Sequence, residues 1–373
     1  MLKELNTLEE NDKAAKRIKV AIIAGSMNIG GGEIMAAKLS TYIDSDKFSV
    51  KLFIIGKKQN NKIANLLDNS GIDYECLGLP NSFRFKSYIR FSNAMKMYNP
   101  DVVHVHLDAS YSWIWSILHN TPLIATMHSD PFRRKSLRVK YVIKIKSLQN
   151  NLKIVGCSKI TSKLFKECYR IDDRFVTTIY NPIDIDFYKS AKEEHDSINF
   201  VHIGRFHYIK NHEMLIRAFK KAFGSKQMNA KLYLAGDGPL LNEMKELVFS
   251  LGLQDDVVFL GQVDNIPQLL KSMDVFVLSS RSEACPISIL EAMASGLPVI
   301  STKVGGVPEL VTNNGILVES EDEHAFCEAM MELFCNNDLR AEYSRNALFN
   351  VLNFDKKAII PQYEEEYRML VKQ

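Results

Sequence analysis

Two carboxylates, Glu283 and Glu291, bracket a stretch whose residue types suit a phosphorylated sugar. The run Ser279-Ser280-Arg281-Ser282-Glu283-Ala284-Cys285-Pro286 leads into Ile287, Ser288, Ile289, Leu290 and Glu291, and Gly296 and Pro298 close the segment. Proline suits the first turn of a helix and a following Gly and Pro stop one, so a helix is predicted from Ile287 to Ala294 with Glu283 on the loop before it. Glu291 lies five residues past Pro286, about 7.5 Å along the axis at ~1.5 Å per residue. Between the carboxylates lie the free backbone N–H groups of Ile287, Ser288 and Ile289, and a helix N-terminus favours an anion. Carboxylate, anion-binding helix end and carboxylate match a sugar, a diphosphate and a ribose in line, because carboxylates accept paired hydrogen bonds from sugar hydroxyls. Leu290, Ala292, Met293 and Ala294 surround Glu291 with apolar residues, which argues against an ordinary helix-surface role.

Other groups follow predicted strands. In Gly204-Arg205-Phe206-His207-Tyr208-Ile209-Lys210-Asn211, Arg205 supplies a planar fork of donors and Lys210 a mobile charge, and both can converge on one diphosphate. A solvated surface pair is the alternative, and the position after a strand favours the site. The run Asn28-Ile29-Gly30-Gly31-Gly32-Glu33 is neither GxGxxG nor a P-loop; a tight turn and an anion cradle both fit it. Gly236-Asp237-Gly238-Pro239 reads first as a turn and also brings backbone close to a ligand. Gly305 and Gly306 permit close backbone approach, and Glu309 is assigned a structural role. His104 and His106 alternate on one strand, whereas His128 ends another and is placed to donate to a sugar hydroxyl or to the scissile bond. No zinc-like spacing is present, and no Asp-x-Asp pair follows a strand to hold a divalent metal.

The elements that position these residues form a repeating pattern. Predicted strands at Lys19–Ala24, Val50–Ile55, Val102–His106, Leu123–Met127, Ile154–Cys157 and Val176–Ile179 alternate with helices such as Glu33–Tyr42 and Tyr88–Tyr98. The rhythm restarts with strands at Asn199–Ile203, Lys231–Ala235, Val257–Leu260, Val275–Leu278, Val299–Thr302 and Ile316–Val318. Their helices are His212–Phe223, Leu240–Leu251, Ile266–Lys271, Ile287–Ala294 and Glu323–Cys335. Such alternation predicts parallel sheets covered on both faces. The expected organisation is α/β: an extension at 1–16, a Rossmann-like domain at 17–190, a polar join, and a second at 198–355. A charged helix, Lys357–Gln373, closes the chain, with Tyr363, Tyr367 and Leu370 on one face. Two such domains make a cleft, and ligands of open α/β sheets sit at the carboxyl ends of the strands.

Composition bounds the function class. The 373 residues are 46% hydrophobic and 24% charged, which excludes a disordered or fibrous chain. The longest apolar runs, such as Val20–Ala24, are far short of the ~20 residues that span a bilayer. Residues 1–17 contain no apolar signal region, and the six cysteines make no disulfide-like framework; a reducing, cytoplasmic setting is expected. Residues 1–190 hold 29 Lys and Arg against 18 Asp and Glu, a net +11; residues 191–373 hold 18 against 26, a net −8. No nucleic-acid signature accompanies the basic half, so an anionic membrane or acceptor is the expected partner. Phe132–Lys153 carries eight basic residues and no acidic one among interleaved apolar residues; a solvated basic helix face and membrane-surface docking both fit, and the basic balance of the whole first half favours docking.

In their order along the chain, the Gly30–Gly32 loop, Gly204-Arg205 with Lys210, Gly236-Asp237-Gly238-Pro239 and the Glu283-x7-Glu291 segment resemble the retaining nucleotide-sugar glycosyltransferases of family 4. The resemblance is tightest over residues 199–310. It implies the GT-B fold, two Rossmann-like domains facing across a cleft with the C-terminal helix crossing back to the first. It further implies that Arg205 and Lys210 neutralise the donor diphosphate, with backbone at Gly31, Gly32, Gly236, Ile287 and Ser288 also near the donor. Glu291 would hold the ribose, Glu283 the transferred sugar, and His128 would lie by that sugar and the acceptor. Ala284 replaces the Gly that many members carry there, and its methyl group narrows the sugar pocket.

The expected activity is metal-independent, retaining hexosyl transfer from a nucleotide diphosphate sugar, UDP ahead of GDP. The nucleotide sugar is a substrate, and no cofactor is implied. The expected acceptor is a lipid-linked saccharide at the inner face of the plasma membrane, in surface polysaccharide assembly. Attack from the leaving-group face is preferred over double displacement through Glu283. A sugar-nucleotide epimerase of similar architecture and a catalytically inactive partner subunit are the alternatives.

Overall fold

The computed structural model describes residues 17–27, 30–80, 83–106, 110–134, 137–189, 193, 195–224 and 228–372. The extension 1–16, Asn28, Ile29, Lys135 and Ser190, Ala191, Lys192 and Glu194 of the join lie outside the described residues. Backbone contacts divide the chain into two compact units. One comprises the chain up to Gly156, Phe165–Thr177 and Ile360–Gln373; the other comprises Cys157–Leu164 and Thr178–Ile359.

In the first unit the order is β1 (Ile18–Ala24), α1 (Gly31–Tyr42), β2 (Phe48–Ile54), α2 (Lys62–Ser70), β3 (Asp73–Cys76), α3 (Phe85–Tyr98), β4 (Val102–His106), α4 (Ser110–Leu118), β5 (Leu123–Met127), α5 (Leu137–Leu148), β6 (Leu152–Gly156), the second half of α6 (Lys159–Tyr169), whose first half belongs to the other unit, and β7 (Val176–Thr178). The strands form one sheet in the order β3-β2-β1-β4-β5-β6-β7. β1 pairs in parallel with both β2 and β4, Val20 lying opposite Val50 and Val102. All five residues of β4 are buried, as in a strand covered on both faces. The chain runs outward from β1 to β3, then returns to the other side of β1 at β4, so the loops after β1 and β4 diverge. That reversal is the switch point where open α/β sheets bind ligands.

The second unit repeats the scheme: α7 (Ile185–Tyr188), β8 (Ile198–Ile203), α8 (His212–Phe223), β9 (Ala230–Ala235), α9 (Leu241–Ser250), β10 (Val257–Gly261), α10 (Ile266–Lys271), β11 (Val275–Leu278), α11 (Ile287–Ala294), β12 (Val299–Thr302), α12 (Val307–Leu310), β13 (Gly315–Val318), α13 (Glu323–Cys335), α14 (Asn337–Asn350) and the first turn of α15 (Lys356–Val371). The sheet order is β10-β9-β8-β11-β12-β13, and the reversal falls between β8 and β11. Phe200, Phe206, Leu215, Phe219, Leu234 and Phe326 build its main core.

Most of α15 belongs to the first unit. Tyr363 and Tyr367 are fully buried, Tyr367 packs edge-on to Phe48 at 5.8 Å, and Glu364 accepts a hydrogen bond from the Asp44 backbone at 3.0 Å. The expected crossing of the last helix to the first domain is therefore present. β3 was not anticipated: it is a four-residue edge strand, Asp-Tyr-Glu-Cys, whose polar residues hide the pattern.

The stretch Phe132–Lys153 departs from the expectation of one amphipathic docking surface. It comprises a short turn, α5 and the start of β6. The side chain of Lys146 is fully buried and donates to the carbonyls of Thr121 at 2.7 Å and Ser116 at 3.5 Å, closing the end of α4. Lys153 pairs with Glu366 at 3.3 Å. The side chains of Arg133, Arg134 and Arg138 lie outside the described residues. Two of the eight basic residues are thus consumed by the fold.

Burial pushes the Lys146 ammonium down to about 7. Below that pH the folded and unfolded chains are both charged, and the cost of burial is constant. Between about pH 7 and the ordinary lysine range only the unfolded chain holds the proton, so stability rises with pH. Lys146→Met is expected to remove that rise. Denaturation midpoints of both proteins at about pH 7 and about pH 10 check it: the advantage of the wild type over the variant must grow with pH, and a constant difference contradicts the assignment.

Candidate functional site

At the switch point of the second sheet, the loops after β8 and β11 are cross-braced. The Ser279 hydroxyl donates to the carbonyls of Lys210 and Asn211, at 2.9 and 3.0 Å. Arg281 N–H donates to the Ile209 carbonyl at 2.7 Å, and the Arg281 guanidinium donates to the Tyr208 carbonyl at 2.7 Å while lying over the Tyr208 ring. Phe206 anchors the β8 loop in the core, stacked on His212 with ring centroids 4.1 Å apart. Asn211 takes a left-handed φ of 52° as the chain enters α8.

This frame delivers the predicted charges. Lys210 Nζ lies 2.6 Å from Glu283 Oε1, and the Ser280 hydroxyl donates to the same oxygen at 2.7 Å. Lys210 and Glu283, assigned to separate parts of a ligand from the sequence, are therefore partners of one another here. Arg205 is exposed on the same loop with no ion pair among the described residues. Glu291 Oε1 accepts from the Tyr188 hydroxyl at 2.8 Å, a partner contributed by α7. Pro286 caps α11 without a side-chain bond, and the N–H groups of Ile287 and Ser288, in the first turn, are not used by the helix.

Several glycines have their reason inside the chain. A Cβ on Gly236 would stand 2.0 Å from the Gly204 carbonyl, so this residue lets the loops after β8 and β9 touch. At Gly305, with φ of 49°, a Cβ would lie 1.6 Å from the Glu283 carbonyl. The Gly305-Gly306 pair thus admits the Glu283-Ala284 backbone itself, and it sets the position of Glu283. Glu309 accepts from the N–H groups of Lys159 and Ile160 and from the Tyr180 hydroxyl, at 2.8, 2.9 and 2.7 Å, a structural role as expected. Tyr180 is pushed above the ordinary phenol range by burial first, then by that carboxylate.

In the first unit, Gly30, Gly31 and Gly32 start α1; Gly31 is exposed and Gly32 buried. Glu33, three residues past the cap, folds back over the loop. A Cβ on Gly30 would lie 2.6 Å from its Oε2, and the Ser26 hydroxyl donates to its Oε1 at 3.2 Å. Burial raises the Glu33 carboxyl above its ordinary range, against lowering hydrogen bonds. The place that the sequence offered to a phosphate is already lined by a carboxylate of the chain.

Three histidines gather at the carboxyl ends of β4 and β5. His104 Nδ1 bonds the Tyr367 hydroxyl and its Nε2 the Thr126 hydroxyl, both at 2.7 Å. His106 packs against His104 with rings tilted by 35° and centroids 4.4 Å apart, and His106 Nδ1 lies 3.0 Å from His128 Nε2. Burial pushes His128 down to about 4 and His104 to about 3, so neither carries charge at neutral pH. The pairing of His106 with His128 was missed; its only sequence signal is that both residues end adjacent parallel strands. Among the described residues no group of three or more His, Cys, Asp or Glu is arranged to hold a metal ion.

Two family models match the chain. Residues 29–187 match Glycosyltransferase Family 4, and residues 197–336 match Glycosyl transferases group 1. The chain is 28% identical over 297 residues to the N-acetyl-alpha-D-glucosaminyl L-malate synthase of Bacillus anthracis, covering 72% of this chain and 74% of that one. It is 25% identical over 370 residues to the UDP-Gal:alpha-D-GlcNAc-diphosphoundecaprenol alpha-1,3-galactosyltransferase of Escherichia coli, covering 91% and 95%. Among solved structures, Anabaena HepE in complex with UDP-glucose superposes with a TM-score of 0.80 at 20% identity, over 95% of this chain and all of that one. The family matches divide the chain as its two parallel sheets do, and the chain belongs to the family 4 glycosyltransferases, of GT-B type.

Proposed function

We propose that this protein transfers a hexose, with retention, from a nucleotide diphosphate sugar to a lipid-linked saccharide, UDP being the preferred nucleotide, and that it does so without a metal. The observation that carries this reading is the braced Lys210–Glu283 pair at the switch point of the second sheet, with exposed Arg205 on the same β8 loop and the unused N–H groups of α11 at the end of the β11 loop. Departure of the diphosphate builds negative charge on its oxygens. Arg205, Lys210 and the N–H groups of Ile287 and Ser288 stabilise that charge electrostatically, the task a metal performs elsewhere. Glu283 accepts from hydroxyls of the transferred sugar and Glu291 from those of the ribose. The acceptor hydroxyl attacks from the leaving-group side, and a departing phosphate oxygen takes its proton. The E. coli relative, named for a UDP-sugar donor and a diphosphoundecaprenol acceptor, supports this choice of substrates.

A membrane-bound acceptor needs a docking surface. Among the described residues no helix is long and apolar enough to cross a membrane. The helices α3, α4 and α5 pack side by side and contain no Asp or Glu. Their outer side exposes Phe85, Ile89, Met97, Leu118, Tyr141 and Leu148 among exposed Lys86, Arg90, Lys96, Lys140 and Lys144. Apolar residues interleaved with uncompensated cations suit an anionic inner leaflet, to which each basic residue contributes about 1 kcal/mol.

Arg205→Ala is expected to lower transfer by on the order of 10²–10³ while leaving the melting temperature nearly unchanged; Lys210→Ala is expected to lower transfer as much and also to lower the melting temperature, because Glu283 loses its ion-pair partner. Folded variants with near wild-type turnover refute the phosphate assignment. Turnover is expected to persist in excess chelator; loss on chelation with rescue by magnesium or manganese refutes metal independence. A panel of labelled donors, with and without acceptor, separates transfer from epimerisation and from an inactive subunit. Reversing Lys86, Arg90, Lys140 and Lys144 to Glu is expected to weaken co-sedimentation with anionic vesicles at least tenfold and to leave hydrolysis of soluble donor unchanged. A wild-type protein that stays in the supernatant at low salt ends the docking idea.

A further inference from the structure

We propose that His106 is a positioning residue that holds His128 in the tautomer protonated on Nδ1, so that His128 offers a hydrogen-bond donor, and not a base, to an oxygen of the bound sugar. The sugar as occupant rests on the transferase reading; the tautomer does not.

The argument begins with register. β4 and β5 are parallel, with His106 opposite Thr126. Side chains alternate along a strand, so His128, two residues beyond Thr126, continues on the same side. The rings of His106 and His128 lie 5.2 Å apart at 21°, and His106 Nδ1 meets His128 Nε2 at 3.0 Å. Two imidazole nitrogens at that distance share one proton, and the question is which ring supplies it.

His106 is fully buried, and its Nε2 has no partner among the described residues. Were the proton of neutral His106 on Nε2, a buried N–H would be left without an acceptor. With the proton on Nδ1, only a lone pair is left unused. Orphaned buried donors are the rarer of the two, so His106 donates from Nδ1 and His128 accepts at Nε2. A neutral His128 then carries its own proton on Nδ1. The groups facing this pair agree. His104 packs against His106 with tilted rings and is itself fixed by Tyr367 and Thr126. Tyr363 lies 5.5 Å from His104. Among the described residues, no carboxylate bonds any of the three rings to favour an imidazolium. Burial depresses all three. His128 keeps partial exposure, so its Nδ1 side is the one left for a ligand, and the ligand atom it fits is an acceptor such as a sugar hydroxyl oxygen.

Nitrogen-15 NMR of the full chain with labelled histidine decides the tautomer without any substrate; the His128 signals are assigned by their loss in His128→Phe. The expected result is a proton on Nδ1 and none on Nε2, unchanged between about pH 5.5 and pH 8. A proton on Nε2, or titration in that range, overturns the proposal. Substitutions test the positioning. His106→Asn keeps an N–H near the Nδ1 position, His106→Gln moves it toward Nε2, and His106→Phe keeps the stack without a donor. Phe and Gln are expected to lower kcat with the sugar donor about tenfold, with little change in Ki for the free nucleotide as inhibitor and a mixed tautomer at His128. Asn is expected to restore kcat to within about threefold, together with the wild-type His128 signals. Wild-type kcat and signals in His106→Phe, or Asn no better than Phe at equal melting temperature, overturn it. If the wild type transfers sugar from no donor, the transferase reading has failed, and the NMR result alone decides whether His106 sets the tautomer.

Discussion

A parallel strand order that reverses direction leaves two neighbouring loops heading apart, and the chain must fill the space between them with something. In the second sheet that reversal lies between β8 and β11. The chain fills it with paired polar groups: Ser279 on two carbonyls, Arg281 on a third, Lys210 on Glu283. Every charged residue of the proposed donor site except Glu291 hangs from those two loops. Glu291 is reached through α11, whose start is fixed by the same β11 loop. Glycines of the region serve that closeness, Gly236 against Gly204 and Gly305 against Glu283.

The first sheet obeys the same constraint and fills its reversal differently. Beside β1 stands a glycine-started helix with a carboxylate, Glu33, turned back over it; beside it, β4 and β5 end in imidazoles. The histidine stack is buried and neutral, and α15 supplies the Tyr367 hydroxyl that ends it. A chain segment more than two hundred and fifty positions away in sequence thus sets the outermost bond of a row of rings that runs to His128.

How much of this was legible in the sequence follows from range. Helices with caps and apolar stripes, such as His212–Phe223 and Ile287–Ala294, read directly, because their signals are local. β3 did not, since an edge strand needs no apolar alternation. The loop motifs after β8 and β11 could be placed by the strands before them. Their mutual contacts could not, because a salt bridge between residues 210 and 283 leaves no periodicity. Lys146 is the clearest misreading: in sequence it continues a basic face, yet the helix turn that carries it points inward, where it adds a donor to two carbonyls at the end of α4. Charge counts tell how many cations a segment has and nothing about which ones reach water.

The Lys210–Glu283 contact has a consequence for how an empty site and a filled one exchange. Its two side chains are only 22% and 11% exposed, so neither charge is left bare when nothing is bound. On the proposed reading, a nucleotide sugar offers phosphate to the lysine and hydroxyls to the glutamate at once, and it compensates both for separating. A spent nucleotide offers phosphate alone. It leaves Glu283 with the Ser280 hydroxyl alone, and the carboxylate then competes with it for the lysine. The intramolecular partner acts as a returning spring: it resists any anion that arrives without its sugar, and it helps to eject the nucleotide once the sugar has gone.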